Sequence, residues 1–304
     1  MQDAIIAHLL KNRALASATD LVVGGASAGG LAVYLHADRW RREAGGAAQP
    51  AGSMRVTAMA DSGFFLQADD AFTVVADGGF NVGLSPGSYE SDMRALVEMA
   101  NSSGGLNRAC VAAKGKHAAD CVFAQVSALF LRTPTFALQS AYDSWQLSNI
   151  MAPKASTNAS RVNAFGNRLR KQLHSTLLKE TRHGAFVDAC EHHCFDWGRF
   201  REHGDNQAAA FAAWYEAKSG ARRVWEEPDA FPCTACCDGK QKSKSDDDQL
   251  NRPDARFGVR RTNNVVPDDT VKNPVARLGF VAAAAITMYE PTKPFINAIK
   301  AAYK

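Results

Sequence analysis

The chain has no apolar run long enough to cross a bilayer: the uncharged run Leu278 to Tyr289 falls well short of the ~20 residues a spanning helix needs. Its first residues, MQDAIIAHLLKNRALAS, break their apolar pattern with Asp3, His8, Lys11 and Arg13, so the uninterrupted apolar core of a secretory signal is not legible in them. A basic stripe interleaved with aromatics is missing too. The 35 Lys and Arg against 31 Asp and Glu leave a formal charge of +4, dispersed along the chain, which argues against nucleic acid as a partner. There is no internal repeat, and no G-x-G-x-x-G or terminal Lys-Ser/Thr completes a nucleotide loop. What is present is core material: 304 residues with 46% hydrophobic and 22% charged side chains suffice for one sizeable core, with or without an appendage, and exclude disorder throughout.

Hydrophobic spacing sketches the elements. Ile5, Ile6, Leu9 and Leu10 recur at helical intervals, and a β-branched run from Leu21 to Val23 follows, predicted to stop at Gly24. Leu31, Tyr34 and Leu35 mark one face of a second helix expected to end near Arg42, before AGGAAQPAG loosens into loop. Further strands are expected at Arg55 to Ala60, in TPTFALQ (133–139) behind Pro134, and in GAFVDA (184–189). Helices are expected through Tyr89, Met93, Leu96, Val97 and Ala100, and through Val162, Phe165, Leu169, Leu173 and Leu177. Strands alternating with helices predict an α/β fold, a mainly parallel sheet with helices on both faces. Residues 238–272 turn polar and mixed in charge, as a flexible linker does, and 273–304, with LGFVAAAAITMY, are expected to form a C-terminal helical tail. That tail lacks a basic polar face, which weighs against a membrane-surface role.

The chemistry concentrates around VVGGASAGGLAVYL (22–35). Gly25-Ala26-Ser27-Ala28-Gly29 fits G-x-S-x-G between a strand and a helix, the setting in which a serine hydroxyl stands above a sheet and the Ala28 amide faces a developing oxyanion. The same stretch also reads as an ordinary glycine-rich turn. A nucleophilic serine needs a histidine and an acid, which on such a sheet follow later strands in the order acid, then histidine. Asp143, in SAYDSWQL, follows TPTFALQ, and His192 and His193, in DACEHHCFDW, follow GAFVDA. Asp143 reads equally as a turn or helix cap; Asp61 competes as the acid but comes too early, and His36 and His174 fit helix surfaces or boundaries. Seven cysteines in three local groups suit a disulfide framework, or zinc if CEHHC and PCTACC supply the ligands, and one must stay unpaired within the chain.

Four blocks, SAGGLAVYLHADRW (27–40), MADSGFF (59–65), SAYDSWQL (140–147) and FVDACEHHC (186–194), resemble the pectin acetylesterase family, whose animal branch includes the Wnt-deacylating enzyme Notum. The resemblance covers residues 1–237 and implies an α/β-hydrolase-like esterase domain that releases acetate from acetylated pectin without a cofactor. It assigns Ser27 as nucleophile, Asp143 as acid, and His193 as base because it directly precedes a cysteine; the Ala28 amide, from the G-x-S-x-G pattern, is the one oxyanion donor assigned. It also implies a Cys110–Cys121 disulfide, matches Cys233 and Cys237 to a Pro-Cys-x-x-x-Cys spacing, and leaves Cys236 as the odd cysteine. In the family, strands and a glycine-rich loop ending in Trp-Cys precede the nucleophile. Only 26 residues precede Ser27, so the chain is expected to be N-terminally truncated, with an open edge on the nucleophile strand. A secreted or cell-wall parent is expected, consistent with the cysteines and with the sequons at Asn101 and Asn158. Trp145 and Phe64 are candidate pocket walls that also fit the core. Three rival expectations are a Notum-like protein deacylase, a non-catalytic carbohydrate-binding remnant and a zinc-organised interaction protein.

Overall fold

The computed structural model describes residues 2–12, 15, 18–47, 54–68, 89–151, 158–202, 204–217, 220–237 and 287–289. Helix α1 (Gln2–Asn12) leads into β1 (Asp20–Ala26), α2 (Ala28–Ala47) and β2 (Arg55–Asp61). After α3 (Tyr89–Met99), the short helices α4 (Arg108–Lys114) and α5 (Ala124–Ser127) lead to β3 (Thr135–Ser140). Next come α6 (Ser144–Asn149), α7 (Ala159–Ser175) and β4 (Gly184–Asp188). A two-stranded ribbon of β5 (Arg201–Glu202) and β6 (Asp205–Asn206) precedes α8 (Gln207–Glu216), β7 (Val224–Glu226) and α9 (Thr234–Cys237), and β8 (Thr287–Tyr289) is the last described element.

The main sheet runs β7-β4-β3-β2-β1-β8, parallel throughout except for β8, which is antiparallel to β1. Both faces are apolar because side chains alternate along each strand. Leu21, Val23, Ala137, Ala185 and Val187 share one cluster with α1, α2 and α7, while Val22, Phe136, Leu138 and Phe186 share the other with α8. Strands β1 and β2 pair in register from Asp20–Arg55 to Ala26–Asp61, so both chains leave the sheet at one level, side by side. In an open α/β sheet this carboxyl edge is where ligands and chemistry gather.

Several boundaries differ from the periodic reading. Strand β1 continues through Gly24 and Gly25 to Ala26, because pairing with Met59 to Asp61 satisfies their backbone groups, and the whole turn falls on Ser27. Helix α2 passes Arg42 to reach Ala47, since Ala44 is fully buried and Gly45 lies against Val56, so packing overrides the low helix propensity of glycine. Helix α8, QAAAFAAWYE, was not expected: its alanines blur any periodic contrast between faces.

The expected helical tail is corrected at Thr287–Tyr289, which is strand β8 and pairs with Val22–Gly24. An uncovered β1 edge exposes unpaired N–H and C=O groups, which a strand satisfies and a helix does not. Over those three residues the edge expected to be open is therefore covered by the chain itself. The expected linker 238–272 and the rest of the tail lie outside the described residues.

His183, fully buried ahead of β4, accepts a hydrogen bond at Nδ1 from the Thr135 amide at the start of β3, 3.2 Å away. Burial, reinforced by neighbouring Arg182, pushes its pKa down to about 4 from 6.5. Above about 6.5 the ring is neutral folded or unfolded and adds no slope; below it the unfolded chain takes up a proton that the folded chain refuses until about pH 4. The melting temperature should therefore fall as pH drops through that window, and His183→Gln should flatten this part of the curve in a pH series of thermal melts.

Candidate active site

Ser27 occupies the single residue between β1 and α2, with φ of 56°, a left-handed conformation that costs a non-glycine residue on the order of 1–3 kcal/mol. Its amide donates to the Asp61 carbonyl at 2.9 Å and its carbonyl accepts from Leu31 N at 3.0 Å, which locks the turn onto both neighbouring elements. Two glycines make room. A Cβ on Gly30 would stand 2.5 Å from the Asp61 carbonyl oxygen, and one on Gly63 would overlap the Gly30 backbone and stand 2.5 Å from Leu31 N. The first turn of α2 thus lies directly on the chain leaving β2, and Ser27 sits on a strained turn, not in a slack loop. Ala28 opens α2, where the leading N–H groups lack intrahelical acceptors and carry the positive end of the helix dipole.

The structure brings Ser27, His193 and Asp143 together. His193 Nε2 lies 2.8 Å from Ser27 Oγ, and His193 Nδ1 lies 2.8 Å from Asp143 Oδ2. The imidazole is 18% exposed and the carboxylate not at all. A carboxylate can only accept, so Nδ1 carries the proton and Nε2 turns its lone pair to the serine hydroxyl. The two readings of Asp143 coincide: it caps α6, its Oδ1 accepting from Gln146 N at 2.9 Å, while Oδ2 faces the imidazole and Gln139 Nε2 at 3.4 Å. The Ser144 amide donates to the His192 carbonyl at 3.1 Å, fastening the acid loop to the histidine loop.

His192 points elsewhere. Its Nε2 is 3.0 Å from both Asp188 oxygens, its Nδ1 is 3.4 Å from Asp196, and its ring packs on Phe200. Burial works against its charged form, but Asp188, then Asp196 and Asp61, outweigh it and raise the pKa. Asp61 is not the acid of this group. Its carboxylate accepts from the Phe195 amide at 3.1 Å, the Trp197 indole at 2.8 Å and the neighbouring Ser62 hydroxyl at 3.1 Å, whereas the imidazole of His193 is held by Asp143. Burial raises its pKa, and those donors together with His192 pull against the rise. Neither role was legible in the sequence; MADSGFF drew attention to the stretch, but no local spacing connects Asp61 to residues 134 and 136 positions later.

Of the two aromatic candidates, Phe64 takes the core position and Trp145 the one beside the site. Phe64 is fully buried and edge-on to Tyr34, whereas Phe65 and Trp145 stand 6.3 and 6.4 Å from the His193 ring and contact each other. Disulfides join Cys110–Cys121, Cys190–Cys237 and Cys233–Cys236. The odd cysteine is therefore Cys194, not Cys236; it is buried in the histidine loop itself, and burial followed by the charge of Asp61 pushes its thiol up to about 12. The sulfurs of CEHHC and PCTACC that zinc would need are paired with one another except for Cys194, and His193 is engaged by Ser27 and Asp143.

A mostly parallel sheet with a left-handed serine between strand and helix at its carboxyl edge defines the α/β-hydrolase type of architecture. The chain belongs to the pectinacetylesterase family, whose model matches residues 1–238. It is 25% identical over 249 residues to pectin acetylesterase 7 of Arabidopsis thaliana, covering 73% of this chain and 57% of that protein. To pectin acetylesterase 11 of the same plant it is 27% identical over 211 residues, covering 63% and 48%. The chain thus spans about half the length of the curated relatives it matches. The structure of the Wnt deacylase Notum from Drosophila superposes with a TM-score of 0.62 at 23% identity, covering 78% of this chain and 64% of that one, a likeness of fold.

Proposed function

We propose that the chain is a serine esterase that hydrolyses acetyl esters of pectin or a related cell-wall polysaccharide. The observation that carries this reading is the pair of 2.8 Å contacts linking Ser27, His193 and Asp143 at the carboxyl edge of the sheet. His193 Nε2 takes the Ser27 proton as Oγ attacks the ester carbonyl, Asp143 holds the ring and balances the imidazolium, and the Ala28 amide donates to the oxyanion. The imidazolium then protonates the departing sugar oxygen. Water, deprotonated by the same nitrogen, attacks the acetyl-enzyme and releases acetate, which restores the serine hydroxyl. Every proton and leaving group is accounted for by side chains and water, so no cofactor is invoked. The family and its curated pectin acetylesterases support the substrate class, and the disulfides support a secreted or extracellular setting.

A series of p-nitrophenyl esters tests the reading. Acetate should turn over fastest, with kcat/KM falling roughly 10-fold or more once the acyl chain exceeds butyrate, because Phe65 and Trp145 crowd the imidazole. Rates that rise with acyl length would favour a long-acyl deacylase of the Notum kind. No turnover of any ester that depends on Ser27 would overturn the esterase reading and leave a binding protein.

A further inference from the structure

We propose that Asp61 is a positioning residue that holds the His193 loop in reach of the Ser27 turn, an inference that rests on the esterase reading. The loop needs such a hold. Immediately after His193 come two consecutive non-glycine residues in left-handed conformation, Cys194 with φ of 63° and Phe195 with φ of 62°, and such strain persists only where the surroundings over-determine it. Their amides turn toward the end of β2. Phe195 N donates to Asp61 Oδ2, Trp197 Nε1 donates to the same oxygen, and Cys194 N donates at 2.9 Å to Ser62 Oγ, whose own hydroxyl donates to Asp61 Oδ1. Meanwhile the Asp61 carbonyl receives the Ser27 amide at 2.9 Å. One residue therefore grips the nucleophile turn by its backbone and the base loop by its side chain. Asp61 is 2% exposed, so water cannot readily replace its carboxylate as an acceptor.

Misplacement of a reacting group by about 1 Å costs roughly 100-fold in rate. Asp61→Ala should lower kcat for p-nitrophenyl acetate by about that factor with KM changed little, because no substrate contact is lost. Asp61→Asn keeps an acceptor oxygen for Phe195 and Trp197 and should recover most of that loss. A second readout does not need turnover: the low-field proton resonance of the His193 Nδ1–H···Asp143 hydrogen bond should be present in the wild type and Asp61→Asn and lost in Asp61→Ala, even on a Ser27→Ala background. If Asp61→Ala does not fold, Trp197→Phe, which removes one donor and keeps a ring, should weaken the same resonance and lower kcat by about 10-fold. Equal loss of kcat and melting temperature in the Ala and Asn variants, or an undisturbed resonance in Asp61→Ala or Trp197→Phe, would overturn the positioning role. A wild type without Ser27-dependent turnover would remove the esterase reading, while the resonance would still report whether Asp61 holds His193.

Discussion

Ser27→Ala should abolish detectable ester hydrolysis, lowering kcat for p-nitrophenyl acetate by about 10⁴-fold or more, because His193 and Asp143 have no attacking hydroxyl to activate once it is gone. The protein should stay folded. Alanine carries the same Cβ into the same left-handed conformation, and the backbone bonds to Asp61 and Leu31 do not involve the hydroxyl. Ser27→Gly separates chemistry from strain: it should be as inactive as Ser27→Ala, yet more stable by about 1 kcal/mol, because glycine adopts positive φ without steric cost. Steady-state rates and urea titrations of the three proteins check both statements. Equal turnover by wild type and Ser27→Ala would remove Ser27 from the mechanism.

The second large effect is expected at a residue with no functional group. Gly63→Ala places a methyl group where the Gly30 backbone stands, and backbone cannot swing aside as a long side chain would. Either the first turn of α2 or the chain after β2 must move. Forced overpacking of this kind costs about 3 kcal/mol, and the displaced turn carries Ser27 with it, so kcat should also fall by about 100-fold. Gly104→Ala is the control, since nothing lies within 4 Å of a Cβ there and the change should be close to neutral. A Gly63→Ala protein with wild-type stability in urea would show that α2 does not rest on β2 as described.

What could be read from the sequence follows from the kind of interaction that fixes each part. Strands β1 to β4 lie where short apolar runs expect them, and a parallel sheet brings their carboxyl ends to one edge. For that reason residues as far apart as Ser27, Asp143 and His193 could be nominated from their positions after strands. The fastenings of the site were hidden because they are long-range: Asp61 acts on a loop more than a hundred residues away, and Gly63 matters only because Gly30 lies against it. Helix α2 outruns its expected end for a similar reason, through burial of Ala44 that only the folded sheet supplies. Cys110 pairs with Cys121 as the resemblance implies, but the choice of the odd cysteine fails for a different reason. Cys190, Cys236 and Cys237 bring their sulfurs close together, so sequence spacing alone does not choose among the possible partners.

A nucleophilic Ser27 requires that one hydroxyl in the protein be far more reactive than the others. Incubating the protein with a fluorophosphonate and mapping the product by peptide mass spectrometry should give a single phosphonyl adduct on Ser27, formed at least about 100-fold more slowly in His193→Ala. An adduct elsewhere, none at all, or labelling of Ser27 that proceeds as fast without His193 would contradict it.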